Sequence, residues 1–584
     1  INMVNAEPFF ALQGPPGTGK TSALSHYVNT TLQYASLSRM LITSQSHAAV
    51  DVILEDVEAR IRNMDTPPIM ARIEPKARPE RLTSLARKHE LNAMVTKRAE
   101  GMARFARENA ARATDRNMRG AWERIASLPR DHFEEVDRRI RAGISLLFCT
   151  TSAARHLLPA PNAKQHFQSK YSFDVAIVEE AGRAEWSDLL TPLVQAPRQI
   201  IIGDHKQLPA FMERKLRSLA DQARKQFTIS RQTPGRTSFL FSEMAEDLDE
   251  IKAWFNPFKR MFEKKESAEK AAASGAVDAK GNLDKTPPAL LPSRRYIDML
   301  DMQFRSHPDI GSLISNTFYE KGVNNWPDWT DKGSILDLTM IGAEDKALTW
   351  IDTSEADFGT YVERLNNERK MFNEGEAETL AKLISKCGLD LESQPKLPVR
   401  QRALILSPYA GQLQVIKDKL QSTCRAQIGG PAGPNQDALI RRRLDQIVAT
   451  IDASQGAEAG LILINLVRSK TAIEDEPDRG NVSPFDWERA LRRNFGFMIE
   501  PQRVNVMLSR AKSRIVIVGN MSHFQKLNEW VGEWAKSHKL FPEGDPRHNQ
   551  GKTILSVHGF WGRIIEEFQN RGQIIPSAKV WADD

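Results

Sequence analysis

Residues 14–21 read Gly-Pro-Pro-Gly-Thr-Gly-Lys-Thr, and no other stretch of the chain restricts the fold as tightly. The pattern G-x-x-x-x-G-K-[ST] is filled at Gly14, Gly19, Lys20 and Thr21. Glycines at these places remove the Cβ atoms that would keep successive backbone N–H groups from turning inward, so the loop can form an anion nest. A lysine at position 20 reaches outer phosphates, and the Thr21 hydroxyl can ligate Mg²⁺. The nest needs a strand before it and a helix after it. Phe9-Phe10-Ala11-Leu12 predicts the strand, and Lys20 to Tyr34 predicts a helix whose positive end faces the phosphates. A chance Gly/Pro-rich turn would match the letters without that context.

The first third of the chain continues as alternating strands and helices. Met40-Leu41-Ile42-Thr43 predicts a strand, and His47 to Met64 a helix, apolar at Val50, Ile53, Leu54, Val57 and Ile61. Residues 65–141 break the alternation: Pro67-Pro68 is followed by long Ala/Arg/Glu-rich helical stretches such as Ala86 to Arg119, read as a helical insertion that could form an antiparallel pair. Strands return at Ser145 to Cys149, Asp174 to Val178 and Gln199 to Ile202. The strand ending at Val178 delivers Glu179-Glu180-Ala181-Gly182. Beside a phosphate loop, one carboxylate would hold Mg²⁺, directly or through water, and the next would polarise the attacking water. The strand ending at Ile202 delivers Gly203-Asp204-His205-Lys206-Gln207-Leu208-Pro209, where the Gln207 amide reads as a γ-phosphate sensor or a polar turn.

At 584 residues the chain exceeds one hydrophobic core. The expected divisions are a first ATPase domain over 1–211, an inter-domain insertion over 212–297, a second domain over 298–545 and a C-terminal helical extension over 546–584. No apolar run approaches a membrane span. Cys149, Cys387 and Cys424 form no C-x-x-C pair, which argues against a zinc module and a disulfide framework and suits a reducing, intracellular compartment, nucleus or cytoplasm. The chain starts at Ile1, so it reads as a fragment, and a missing targeting signal says little. Net charge is +7, and residues 60–141 alone hold 20 Lys and Arg against 12 Asp and Glu. That surplus fits a polyanion partner. The interleaved acids fit a solvated helical surface equally well, and the two readings stand level.

The order GPPGTGKT, EEAG, GDHKQLPA resembles helicase superfamily 1, in particular the nonsense-mediated-decay (up-frameshift) branch. Later segments extend the resemblance: Gln303-Phe304-Arg305-Ser306-His307-Pro308 is similar to Q-Y-R-M-H-P, and Ser407-Pro408-Tyr409 with Gln412 to T-P-Y-x-x-Q. Asp452-Ala453-Ser454-Gln455-Gly456-Ala457-Glu458 is similar to D-x-F-Q-G-x-E, and Arg503 to Lys512 to R-x-N-V-A-L-T-R-A-K. The resemblance implies an α/β chain of two tandem RecA-like P-loop domains with helical insertions. It implies ATP and Mg²⁺ as cofactors and a 5′ to 3′ helicase or translocase on single-stranded nucleic acid, RNA before DNA. Nucleotide would be held by Gln13, Gly14, Pro15, Pro16, Gly17, Thr18, Gly19, Lys20 and Thr21, with Phe304 in the place of an adenine-stacking Tyr and Glu458 near the ribose or phosphates. Thr21 and Glu179 would serve the metal. Glu180 would orient water, Gln207 would sense the γ-phosphate, and Arg305 and Arg510 would be arginine fingers. Arg503 and Arg510 lie seven residues apart, about two helical turns, and so on one helix face.

The second half also reads as α/β from its own residues, with apolar β-branched runs at 403–406, 461–467 and 514–518. For the nucleic-acid strand, Ser44, Ser46 and His47 resemble motif Ia, and Thr150 and Thr151 resemble motif Ic. Ser407 and Thr450 are the candidates of the second domain. Small hydroxyls at helix starts suit phosphate contact, and each is equally a good N-cap. Trp530, Trp534, Phe560, Trp561, Ile564 and Phe568 stand at helical spacing, which favours core packing over base stacking. Lys264 to Lys285 reads as flexible, and Pro287-Pro288 and Pro292 mark the return to order. Residues 471–500 form a second insertion, acidic at Glu474-Asp475-Glu476. Departures from the family pattern are Glu179 in place of Asp, which predicts reduced ATPase, and Ser454 in place of Phe, which predicts weaker packing. A second functional class stays open: an ATP-gated RNA clamp or scaffold that docks protein partners through the insertions and does not unwind.

Overall fold

The computed structural model describes residues 3, 8–73, 83–157, 173–210, 219, 222, 256–263, 296–330, 336–356, 359–389, 399–427, 434–454, 456–470, 484–539 and 559–582. The stretch 264–285, the prolines at 287, 288 and 292, Gln455 and the acidic triplet 474–476 lie outside the described residues, as do the side chains of Cys424 and Trp534. The chain forms two compact units. One comprises Ile1–Gly14, Gly19–His205 and Pro209–Leu300; the other comprises Pro15–Thr18, Lys206–Leu208 and Asp301–Asp584.

The first unit is a seven-stranded sheet, ordered β3-β4-β2-β5-β6-β1-β7. Its strands are β1 (Phe9–Gln13), β2 (Met40–Ser44), β3 (Met70–Arg72), β4 (Leu146–Thr150), β5 (Val175–Val178), β6 (Arg198–Gly203) and β7 (Ile297–Met299). Every pairing is parallel. Helices cover both faces of a parallel sheet, so its strands are apolar on both sides. Every residue of β2 and β4 is accordingly buried. One face packs Leu24, Val28, Val50, Leu54 and Val57 from helices Lys20–Tyr34 and His47–Ile61.

One expectation is corrected here. Met70–Arg72 continues the sheet, pairing with β4 inside the segment read as a helical insertion. The stretch Ala86 to Arg119 is helical over most of its length. It divides into Ser84–Lys88 and Leu91–Arg112, and a new helix Arg116–Asp131 starts where Asp115 accepts the Met118 N–H at 2.8 Å. An N-cap carboxylate ends one helix and begins another more cheaply than Ala-Thr-Asp could extend it. Helix Leu91–Arg112 buries a stripe of Val95, Ala99, Ala103, Ala106 and Ala110, whereas Arg116–Asp131 buries nothing. In the following helix Phe133–Ala142, Arg138 and Arg139 pair with Glu135 at 2.6 and 2.7 Å, and Arg141 with Asp137 at 2.8 Å. The three arginines of this helix are thus paired within it.

The second unit opens with the short parallel pair β8 (Met302–Gln303) and β9 (Asn324–Asn325). Its main strands are β10 (Leu348–Asp352), β13 (Ala403–Ser407), β14 (Val448–Thr450), β15 (Ala459–Asn465), β16 (Ala511–Gly519) and β17 (Gln573–Pro576). A small antiparallel hairpin, β11 (Arg364–Leu365) with β12 (Met371–Phe372), lies between β10 and β13 in the chain. The main sheet is parallel and ordered β14-β13-β15-β16-β10-β17. Residues 546–584, read as helical, therefore also supply an edge strand. Trp350, Phe524, Trp561 and Phe568 fill the core of one face, with the Phe524 and Trp561 rings 4.1 Å apart. The Trp561 indole N–H donates to Met498 O at 2.7 Å, so this tryptophan is core. Ser454 is buried, and its hydroxyl donates to Ile451 O at 2.7 Å, so no polar atom is stranded where the family has Phe. Cys149 and Cys387 are free and buried. Among the described residues no helix is long and apolar enough to cross a membrane.

Candidate functional site

In the first unit β1, β2, β4, β5 and β6 all finish at the same edge because all run parallel. Ligands of open parallel sheets bind at that edge. It receives Gly14 after β1, Ser44 at the end of β2, Thr150 at the end of β4, Glu179 and Glu180 after β5, and Asp204 after β6. The sequence order scatters these residues over almost 200 positions, and sheet closure gathers them.

The Gly14 N–H donates to Gly203 O at 2.9 Å, and the Gln13 amide donates to Asp204 Oδ1 at 3.3 Å, tying the loop's root to the end of β6. Lys20 Nζ donates back to Gly14 O at 2.6 Å, and the Thr18 hydroxyl to Pro15 O at 2.8 Å. Gly17 and Gly19 take φ of +74° and +82°, which a side chain would strain. Gly19 caps helix Lys20–Tyr34 without a side-chain acceptor, so none of the first-turn N–H groups is satisfied by a capping side chain. Thr21 lies in that first turn, half-buried. The turns after β5 and β6 press backbone on backbone: a Cβ on Gly182 would sit 2.5 Å from Asp204 O.

Glu179 is 5% exposed. Burial first, and then the neighbouring Glu180, push its carboxyl up to about 8; Lys20 and the Ser44 hydroxyl pull the other way. Ser44 Oγ donates to Glu179 Oε2 at 2.8 Å. This corrects the reading of Ser44 as a strand contact: it is fully buried, and its hydroxyl is committed to the carboxylate. Glu180 adopts φ 58°, a left-handed conformation uncommon for a side-chain-bearing residue and one that concentrates at functional turns. Gln207 is buried.

Ser46 caps helix His47–Ile61, accepting from the Ala49 N–H at 3.2 Å, and Thr150 accepts from the Ala153 N–H at 3.3 Å. The cap alternative therefore holds for both. Thr151 is 1% exposed, with its hydroxyl unpartnered among the described residues.

In the second unit Ser407 and Thr450 end adjacent parallel strands. Ser407 is buried and accepts from the Tyr409 N–H at 3.3 Å; Thr450 accepts from the Ala453 N–H at 3.2 Å. Arg305 Nη2 lies 2.5 Å from Glu458 Oε1, and Lys512 Nζ lies 3.1 Å from Glu458 Oε2. Burial alone would raise the Glu458 carboxyl, but Arg305, Lys512 and Arg510 outweigh it and hold it below the ordinary carboxylate value. The Arg305 turn is built by Gln303, whose Oε1 accepts the Arg305 and Ser306 N–H groups at 3.0 and 2.8 Å. Phe304 is 51% exposed, with its ring 5.1 Å from that of Trp326.

The shared helix face of Arg503 and Arg510 is not realised. Helix Pro501–Leu508 closes when the Ser509 N–H donates to Asn505 O, and Arg510 follows it. Arg503 binds Glu500 at 2.7 Å and Asp452 at 2.9 Å. Arg510 is 4% exposed and donates to Val506 O and Ala457 O at 2.9 and 3.2 Å. Sequence reasoning missed Lys512 and Trp326. The first was legible as the closing letter of its motif; the second follows only from the pairing of β8 with β9.

A nucleotide phosphate with Mg²⁺ suits the first unit's residues. The helix start after Gly19 lacks a side-chain acceptor, and among the described residues the buried Glu179 carboxyl forms no ion pair.

Profiles of an AAA domain match residues 1–215 and residues 289–522. The chain is 22% identical over 562 residues to the DNA polymerase alpha-associated DNA helicase A of Saccharomyces cerevisiae, covering 92% of this chain and 66% of that protein. It is 24% identical over 546 residues to the ATP-dependent helicase upf1 of Schizosaccharomyces pombe, covering 91% and 45%. It is 23% identical over 536 residues to a regulator of nonsense transcripts 1 homolog of Neurospora crassa, covering 91% and 37%. The chain thus spans less than two thirds of the length of these relatives. Among solved structures, a PRRSV helicase aligns over 89% of this chain and 53% of its own, at 10% identity and a TM-score of 0.33, too loose to carry weight. With both AAA domains present in order, the chain belongs to the superfamily 1 helicases, and the up-frameshift helicases are among its distant relatives.

Proposed function

We propose that this chain is an ATP- and Mg²⁺-dependent motor that translocates along single-stranded nucleic acid, RNA in preference to DNA, with 5′ to 3′ polarity. The observation that carries the ATPase is the placement of Glu179 and Glu180 on the strand-end edge that also receives the phosphate loop. Gly17, Thr18 and Gly19 offer N–H groups to the phosphates, Lys20 neutralises the outer ones, and Thr21 and Glu179 hold Mg²⁺. Glu180 orients the water and Gln207 responds to the γ-phosphate. Bound Mg²⁺ would offset the charge that develops on the leaving phosphates. Phe304, exposed on its turn, stacks on the adenine, and Glu458 orders Arg305 through their ion pair. Arg305 and Arg510 serve as the arginine fingers that stabilise the transferring phosphoryl.

His47 and the helix starts after Ser46 and Thr150 meet the strand backbone in the first unit, and the turns after Ser407 and Thr450 meet it in the second. RNA and polarity rest on the resemblance to up-frameshift helicases. The relatives' names include both a DNA helicase and regulators of nonsense transcripts, so both polymers belong in the test. The experiment measures ATPase with matched RNA and DNA oligonucleotides at fixed salt, alongside unwinding of 5′- and 3′-tailed duplexes. RNA-stimulated hydrolysis and unwinding of 5′-tailed duplexes are expected. Stimulation without unwinding would replace the motor by a clamp, and a Lys20→Ala variant with normal turnover would refute the phosphate-loop assignment.

A further inference from the structure

Between Glu363 and Asn373 the second unit raises a hairpin that its core does not need. Every residue from Arg364 to Lys370 is exposed, and Leu365 is 60% exposed. The ladder is short, pairing Arg364 with Phe372 and Leu365 with Met371. A two-stranded ladder of this size is marginal by itself in water. It is held at its tip and at both feet. At the tip, Asn366 Oδ1 accepts the Glu368 and Lys370 N–H groups at 3.0 and 2.8 Å, and the Asn366 N–H donates to Lys370 O at 2.9 Å. Arg369 takes φ 57° within that turn.

The feet are fastened to the loops that follow β13 and β15, adjacent parallel strands whose ends lie at one sheet edge. Glu363 pairs with Arg468 at 3.0 Å, and both side chains are 3% exposed. Its Oε2 also accepts the Ser469 N–H at 3.0 Å, and its own N–H donates to Ser469 Oγ at 3.1 Å. At the other foot the Asn373 N–H donates to Gln412 Oε1 at 2.7 Å, and Gln412 Nε2 donates back to Asn373 O at 2.9 Å. Gln412 stands in the first turn of helix Ala410–Gln427, just after Ser407. A Cβ on Gly411 in that turn would sit 2.5 Å from Met371 O, so the hairpin backbone lies directly on the helix start. A buried ion pair is often no more stabilising than apolar residues in its place, so the Glu363–Arg468 pair serves position more than stability.

The projecting segment carries Arg364, Arg369 and Lys370 against one acid, Glu368, which Lys370 meets at 2.7 Å. Cations of this kind suit phosphates, and an apolar side chain can press into a base step and unstack it. A lone exposed leucine is ordinary on a protein surface. Leu365 differs in standing on a fixed projection beside the turn after Ser407.

We propose that this hairpin is a strand-separating wedge: Leu365 presses on the last base pair of a duplex, and Arg364, Arg369 and Lys370 hold the backbone next to it. The inference rests on the reading above that the turn after Ser407 meets the nucleic-acid strand.

The test uses the full chain. Tailed RNA and DNA duplexes carry 2-aminopurine, whose fluorescence is quenched by stacking, at the base pair beside the tail. Wild-type protein without nucleotide should brighten this base, and Leu365→Ala should leave it dark. L365A should keep single-strand-stimulated ATPase and unwind about tenfold more slowly, a part of what unstacking one base step costs. The loss should be larger on G·C-rich duplexes, because a motor without a wedge waits for the end to fray. Asn366→Ala, which frees the turn and leaves Leu365 in place, should also slow unwinding and spare the ATPase. L365A that brightens the junction base as wild type does would overturn the wedge. So would a loss of ATPase in step with unwinding, which marks a fault in the motor. A wild-type chain whose ATPase responds to single strands but which unwinds nothing would remove the motor reading, and the wedge with it.

Discussion

Replacing Ser44 by Ala removes the side-chain donor from a buried carboxylate that the proposed Mg²⁺ site needs in its charged form. The Ser44 hydroxyl reaches Glu179 Oε2 at 2.8 Å, and burial holds that carboxyl at about 8 even with this bond in place. A hydrogen bond to a charged acceptor contributes about 1.5–3 kcal/mol, and one pKa unit is about 1.4 kcal/mol. S44A should therefore raise Glu179 by about one to two further units. At pH 7.5 the ionised fraction would fall from roughly a quarter to roughly 3% or less, and Mg²⁺-nucleotide affinity by about 10- to 100-fold. The sign follows from the direction of the shift: a raised acid keeps its proton to higher pH, and the cation needs it gone. The deficit should be largest near neutrality and close as pH rises past the new value. Fluorescent-nucleotide titrations with and without Mg²⁺, from pH 6.5 to 9.5, measure this. Wild-type affinity in S44A at pH 7.5, or a loss of equal size at every pH, would refute the reasoning. The nucleotide-free protein has the opposite dependence. Its folded form holds a proton that the unfolded chain releases, so this group's stabilisation is present below 4.5 and lost as pH rises through about 8.

Two further outcomes are expected. Arg305→Ala should lower kcat by about 10³-fold or more if Arg305 stabilises the transferring phosphoryl, with KM for ATP little changed; a purely structural Arg305–Glu458 pair would instead show as a lower melting temperature with kcat intact. Glu376 is fully buried, and burial raises its carboxyl well above the usual value. Its Oε2 accepts the Val467 N–H at 2.7 Å, pinning a β-branched residue at φ 73°. Glu376→Gln keeps a neutral acceptor and should cost less than about 1 kcal/mol in urea unfolding, whereas Glu376→Ala strands that N–H and should cost about 2–4 kcal/mol. Equal costs for the two would show that the bond to Val467 contributes nothing.

The legible part of the fold came from runs of β-branched and apolar residues. β1, β2, β4, β5 and β6 are each buried on both faces, so each reads as a short unbroken apolar stretch ending in polar residues. Met70–Arg72 and Gln573–Pro576 escaped because edge strands are short and polar: β3 contains an arginine, and β17 begins with a glutamine and ends in a proline. Trp561 and Phe568 were legible as core from helical spacing, since nothing polar interrupts that face.

The sequence by itself determined the phosphate loop, because its chemistry is local: backbone N–H groups, three glycines, a lysine and the threonine after it within eight consecutive residues. It also determined which strand ends carry carboxylates, since a strand's exit is marked where apolar residues stop. Only the tertiary structure decided what each polar group is bonded to. Ser44 and Glu179 lie 135 residues apart, and His47 meets Arg72 from a strand that its own composition conceals. Seven residues between Arg503 and Arg510 imply one helix face only if the helix continues, and it stops at Leu508. Hydrogen bonds reach about 3 Å and carry no trace along the chain, so their partners are settled by which strands become neighbours and not by any pattern of letters.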